Sequence, residues 1–390
     1  MRRIALLYLY IVFTVSAFAQ ITPNTTCKMC HPTIYKEYKT SAHHKSTIYE
    51  DAIHKAIWEM HPLKKKNKYT CAKCHTPADT RILQALKAGT NGTPQDDELH
   101  HEAIACITCH SIKSIKSHPQ SHDEIVLVDN DKKRPIIFAA NKNNKNDKGL
   151  YARKRTSLGM FKCKSRSPYH DINYTNEIFY TGKICLGCHQ HKENKHGQNI
   201  CTTDREGAMD EESNCLTCHM PKIEGSIASA PMSKTHRFHG FAGTRNRPDL
   251  LAKYLKINFK KTVSGFEITL KNEAKHNLLL HPLRLGKLNV SIKNGTKTKK
   301  LKSISFFRIL GAEGKPAMPW LATEIFKENM LKADEVRTLK YDTKVNSGDI
   351  VEVEFGYFLV NPEMHKKLNL MDNEKATKFN ILKTEFFTVQ

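Results

Sequence analysis

Two kinds of hydrophobic patterning divide the chain. Beyond Asp249, apolar residues alternate with polar ones: Phe266, Ile268 and Leu270; Leu288, Val290 and Ile292; then Val351, Val353, Phe355, Tyr357 and Leu359. A period of two predicts half-buried strands. Asn294-Gly295 follows the second run as a hairpin-turn signal. Phe386, Phe387 and Val389, after Lys383, predict a last strand. The 141 residues from 250 to 390 suffice for a small antiparallel β-sandwich-like domain. Before Asp249 such alternation is missing. Short helices are predicted instead, over 33–45 and over 51–61, where Ile53, Ile57, Trp58 and His61 recur at helical spacing. The run of Asn and Lys from Asn141 to Asp147 predicts an exposed loop.

The first twenty residues follow a third pattern. Met1-Arg2-Arg3 is a basic start, Ile4 to Phe18 is nearly all apolar, and Ala17-Phe18-Ala19 is a small-x-small cleavage site. Residues 1–19 therefore read as a secretory signal peptide, shorter than the roughly 20 apolar residues that a membrane span needs. An uncleaved anchor is the alternative. The expected setting is the periplasm, with no integral membrane segment.

The segment between leader and strands carries the chemistry. Cys-x-x-Cys-His occurs five times: Cys27, Cys30 and His31; Cys71, Cys74 and His75; Cys106, Cys109 and His110; Cys185, Cys188 and His189; Cys215, Cys218 and His219. Ten of the twelve cysteines are used in this way. Two thiols at this spacing can each add across a haem vinyl group, and the adjacent histidine lies under the iron as proximal ligand. The motif thus predicts five covalently bound haem c groups. Zinc would need two pairs, or a pair with distant histidines; a disulfide framework in an exported chain is the other alternative. Every pair here carries the same adjacent His, which favours haem. The motif starts lie 44, 35, 79 and 30 residues apart, so the array is no regular solenoid. Residues 20–249 read as a pentahaem cytochrome c domain, in which macrocycles supply much of the apolar core, and 250–390 as the β-rich domain.

Several segments resemble the cytochrome c554-like multihaem cytochromes. The opening from Cys27 to His44, with Ser41-Ala42-His43 after a haem motif, is similar to that family's start. So are Ser167-Pro168-Tyr169-His170, Cys215 to Pro221 and His236-Arg237-Phe238-His239-Gly240. Lys275-His276 with Leu283-Arg284 resembles the family's Gly-His-x-x-Pro-Thr-Gly strand segment, without its glycine and proline. The resemblance implies a multihaem cytochrome fold of short α-helices and loops wrapped around haems, and distal iron ligands at His43, His170 and His236, with His118 and His276 as further candidates. His44 and His239 are close substitutes. Sixteen histidines lie outside the motifs, so supply does not limit ligation by two histidines. His54, His61, His100, His101, His191 and His196 read mainly as solvent-facing or propionate-bonding histidines.

Charge and the leftover cysteines add less. The formal charge of +23 falls to +21 without the two leader arginines. Five haems would add ten propionates, leaving a basic surface suited to acidic redox partners, anionic substrates or a membrane face. Nucleic acid is not implied for an exported haem protein. Cys163 and Cys201 read as a disulfide across the long third gap, with buried thiols or an iron-bound thiolate as alternatives. The functional expectation is a carrier that passes electrons between donor and acceptor proteins, such as a membrane quinol oxidase or a terminal reductase. The alternative is a reductase acting on a small nitrogen or sulfur compound at one open haem. The Cys-x-x-Cys-Lys signature of pentahaem nitrite reductases is absent.

Overall fold

The computed structural model describes residues 22–118, 124–128, 135–141, 153–155, 161–163, 167, 169–201, 207, 209–210, 212–230 and 233–390, without the side chains of 153–155, 161–163, 191–192 and 201. The leader, most of the 141–147 run and the side chains of Cys163 and Cys201 lie outside the described residues.

From Leu255 onward the chain forms strands, as the alternation predicts: β1 (Leu255–Lys261), β2 (Phe266–Asn272), β3 (Leu285–Asn294), β4 (Lys297–Lys300), β5 (Ile304–Phe306), β6 (Arg308–Ala312), β7 (Lys315–Pro316), β8 (Glu324–Glu328), β9 (Val336–Tyr341), β10 (Ile350–Phe358) and β11 (Phe379–Thr388). A three-stranded antiparallel sheet runs β1-β2-β9, and a five-stranded one runs β4-β3-β10-β11 with β5 also on β3. Inward residues of both sheets, including Ile257, Ile268, Leu270, Leu288, Val290, Val353 and Phe355, form one core. A third small sheet, β7-β6-β8, has no counterpart in the sequence pattern.

Two details differ from expectation. The β3–β4 ladder closes at Asn294 and Lys297, so the turn residues are Gly295 and Thr296. Gly295 takes φ +55° there, where glycine is free of Cβ strain. The last strand begins at Phe379 rather than after Lys383, because a bulge at Phe355/Gly356 shifts its register and hides the alternation. A Cβ on Gly356 would lie 2.5 Å from the Asn380 carbonyl oxygen.

The motif-bearing part is built differently. Helix α1 (Pro32–Thr40) and helix α2 (Ala52–Met60) are each nine residues long. Both fall short of the predicted spans because the chain turns at Ser41 and His61 into extended backbone. The Asp51 carboxylate caps α2 through the Ile53 and His54 amides. Buried apolar residues here form small separate clusters, such as Ile48, Trp58, Tyr69, Ala72 and Ile82, or Ile112, Ile115, Phe138, Ile178 and Phe179. One face of α2 (Ile53, Ala56, Ile57, Met60) packs on Val360, Leu368 and Leu370, joining the two parts. Among the described residues no helix is long and apolar enough to cross a membrane.

Candidate haem-binding site

Each motif occupies one helical turn. The His31, His75 and His189 amides donate to the carbonyls of Cys27, Cys71 and Cys185, each at 2.9 Å, and Cys106–His110 and Cys215–His219 are α-helical. Positions i, i+3 and i+4 share a helix face, so both thiols and the imidazole project to one side. Local caps fix these turns. Asn214 forms a capping box with Thr217 at the fifth motif. The buried Asn24 accepts from the Cys106 amide at 2.7 Å, tying the first motif to the third.

The motif histidines are aimed by backbone carbonyls. Nδ1–H of His31 donates to Ile227 O at 2.5 Å, that of His110 to Phe138 O at 2.7 Å and that of His219 to Ala242 O at 2.6 Å. This arrangement leaves Nε2 as the free lone pair, the tautomer that a metal ligand requires. Burial lowers the pKa of His110 and His189 and brings that of His219 to about 4, so these rings are neutral at physiological pH.

Opposite four of the five stands a second histidine. Ring centres are 6.3 Å apart for His31 and His170, 5.9 Å for His43 and His189, 6.3 Å for His110 and His239, and 6.1 Å for His219 and His276. With iron–nitrogen bonds of about 2.0 Å and a ring centre about 1.1 Å beyond each nitrogen, an iron held between two imidazoles separates their centres by about 6.2 Å. The residues present fit haem iron in these four places. Burial holds His43 at about 3 and His239 at about 4, neutral like their partners. Among the described residues, no three His, Cys, Asp or Glu side chains converge as a compact metal site would need, and the ten motif cysteines are free thiols. Burial keeps Cys71 and Cys109 up at about 11, protonated rather than thiolate.

Distant segments place the facing rings. The buried Ser41 hydroxyl accepts from the His44 amide at 3.1 Å, shaping the turn that presents His43. Ser167 does the same for Tyr169 and His170. His276 sits between β2 and β3, where the fully buried Asn272 donates to its carbonyl at 2.9 Å. His239 donates from Nδ1 to Arg237 O at 2.7 Å and from its amide to Glu37 at 2.9 Å.

The expectation for His236 fails on its bonding. Its Nδ1 is bonded to Gly225 O at 3.0 Å and its Nε2 to Glu37 at 2.8 Å, so neither nitrogen is left for a metal; the ring facing His110 is His239, three residues on. His118 is exposed just past the end of the Ile112–Lys116 strand. His44 packs beside Tyr38, ring centres 5.1 Å apart. His100 is buried against Asp79, His101 is bonded to Asp96, and His61 lies between Trp58 and Trp320.

His75 is the exception among the motif histidines. Its ring neighbour is His54 at 4.0 Å, too close to admit an iron between them. His54 is moreover spoken for at both nitrogens, by Ser46 O and the Tyr69 hydroxyl.

The motif thiols also meet across motifs. Cys27 lies beside Cys106, Cys74 beside Cys188, and Cys185 beside Cys215. The attachment points therefore form one connected array, with the Cys185–His189 motif touching both the second and the fifth.

Similarity to known proteins extends over part of the sequence and most of the fold. Residues 26–111 match the family model for cytochrome c554 and c-prime. The fold is similar to the crystal structure of a penta-haem cytochrome c552 from Thermochromatium tepidum, with a TM-score of 0.68 at 19% identity over 94% of this chain and 99% of that one. The fold is thus that of a multihaem c-type cytochrome, with the cytochrome c554 family match confined to residues 26–111. No curated protein gives a significant match. The facing position of His239 is within reach of sequence reading only as a substitute for His236. The roles of Ser46 and Tyr69 carry no sequence signal, since they arise from packing.

Proposed function

We propose that the protein is a periplasmic pentahaem electron carrier in a respiratory chain, exported with loss of residues 1–19. The observation that carries this reading is the set of four histidine pairs at iron-bridging spacing, joined through thiol contacts. In it, the ten motif cysteines attach five haems, and the irons are held by His31 with His170, His110 with His239, His189 with His43 and His219 with His276. Haem, when bound, supplies a one-electron couple between ferric and ferrous iron. The chain does the rest: carbonyls fix motif imidazoles in one tautomer, and a histidine on each side would exclude substrate from the metal. Adjacent motifs bring successive groups close enough to relay electrons. Residues 20–249 form the haem domain, and 250–390 a β-sandwich-like domain that supplies His276 and a docking face. The formal charge of +21 that remains without the leader supports acidic donor and acceptor proteins as partners, a membrane quinol oxidase or a terminal reductase among them.

A second reading rests on His75. Its haem has no facing histidine at ligand distance among the described residues, which supports reduction of a small nitrogen or sulfur compound at that iron. One experiment separates the two: EPR of the fully oxidised protein, with haem count by pyridine haemochrome, before and after nitrite or cyanide. Five low-spin haems inert to ligand support the carrier alone. A high-spin signal that shifts with ligand supports the reductase.

A further inference from the structure

Bonds from within the same segment shape the turns of three facing histidines: Ser41 acts beside His43, Ser167 beside His170 and Asn272 beside His276. His239 is held from outside as well. Its ring is aimed within the segment, Nδ1–H donating to Arg237 O at 2.7 Å, so ring and backbone move together. The segment is fixed by Glu37, on the helix α1 that follows the first motif. Glu37 Oε2 accepts from the His239 amide at 2.9 Å, and Oε1 is bonded to Nε2 of His236 at 2.8 Å. One carboxylate thus grips the segment at two points three residues apart. The His236 side chain is 1% exposed and that of Glu37 14%, so water is a poor substitute for either bond. Asn246 adds a further tie to α1, its Nδ2 donating to Gly240 O at 2.6 Å and to Thr40 Oγ1 at 3.0 Å. The segment needs such ties. Phe241 stands at φ +53°, in the left-handed region, and a Cβ on Gly240 would lie 2.2 Å from the Phe238 ring.

We propose that Glu37 is a positioning residue that keeps the iron site between His110 and His239 closed: it holds His239 in place as the facing ligand and withholds Nε2 of His236 from the metal. This rests on the reading that His110 and His239 face one haem iron. A histidine on a strained, untied segment must be ordered each time it binds, and so gives way more readily to an added ligand. Ties already made in the folded chain remove that cost. Helix α1 begins directly after His31 and ends before the turn of His43, so one rigid element bears on the rings at three iron positions.

The test is EPR of the oxidised holoprotein, together with carbon monoxide uptake by the reduced form. His239→Ala first marks the component of this haem, as the one that turns high-spin while the haem count is unchanged. If no component turns high-spin, the reading that His239 faces an iron falls instead. Glu37→Leu fills the space without either bond, and Glu37→Asp keeps the charge but is one methylene too short to reach both partners. Both are expected to turn the marked component high-spin and to add about one equivalent of bound carbon monoxide per molecule. Glu37→Gln keeps both ties, its amide oxygen accepting from the His239 amide and its NH2 group donating to Nε2 of His236, and is expected to keep the low-spin signal. A role in packing alone would let Leu stand in for Glu37, and a role of charge alone would let Asp do so and not Gln. The proposal is overturned if the Leu variant keeps the component low-spin and inert, or if the Gln variant loses it as far as Leu does. Should the Leu variant fail to accumulate with its haems, the Asp and Gln variants decide: loss in Asp with retention in Gln supports the proposal, and the reverse overturns it.

Discussion

The two halves of the molecule keep their chains ordered by opposite means. The strands beyond Leu255 share a single core of sixteen buried residues, whereas the two apolar clusters around the motifs contain five buried residues each. At about 25 cal/mol per Å² of apolar surface, clusters of that size do not offset the entropy of ordering over two hundred residues. The motif half depends on a covalently attached apolar group for its interior, and the sheet half does not.

That contrast is broken most severely by withholding the cofactor. Full-length protein made without haem attachment is expected to lose its helical far-UV dichroism while keeping a β-sheet signal, and limited proteolysis should leave a resistant fragment beginning near Leu255. Equal digestion of both halves would show that the sheets also need haem. A smaller effect comes from Phe355→Ala, which opens a cavity in the shared core. It should destabilise the sheet region by about 3–5 kcal/mol with the haem absorption spectrum unchanged; a spectral change would show that the halves unfold as one.

His276 crosses the divide, because it belongs to the sheet half yet faces His219. His276→Ala is expected to turn one low-spin haem high-spin, whereas His236→Asn leaves the spin states alone, since both nitrogens of His236 are already bonded within the protein. If the two variants behaved in the opposite way, the ring spacings would have misassigned the ligands.

How much of this was legible follows the same line. Strands and motifs are local, and the alternation at Leu288, Val290 and Ile292 or the spacing of Cys71, Cys74 and His75 can be read from neighbours in the chain. The sheet of β6, β7 and β8 could not, being short and without alternation. Nor could the choice between His236 and His239, which turns on Glu37, some two hundred residues away. Two histidines three positions apart look equivalent until it is known which of them has a nitrogen to spare.

The smallest expected effect concerns polar ties that help the motif half where its clusters fall short. Burial pushes the Asp79 carboxyl upward, but hydrogen bonds from His100 at 3.1 Å and Arg81 at 2.9 Å, with their charge, outweigh it and bring it to about 2. A carboxyl whose folded pKa lies below its unfolded value of about 3.9 stabilises the fold above that value. The contribution is about 2 kcal/mol at neutral pH and is lost as pH falls from about 4 towards 2. Asp79→Asn should remove most of it at pH 7 and flatten the dependence of stability on pH below 4, measured by denaturant unfolding followed at the haem absorption band. The loss should register there and not in the β-sheet signal, because Asp79 lies between the second motif and His100. An equal shift of both transitions would mean that the motif half passes its stability on to the sheets through α2, and the contrast between the halves would hold for their cores but not for their unfolding.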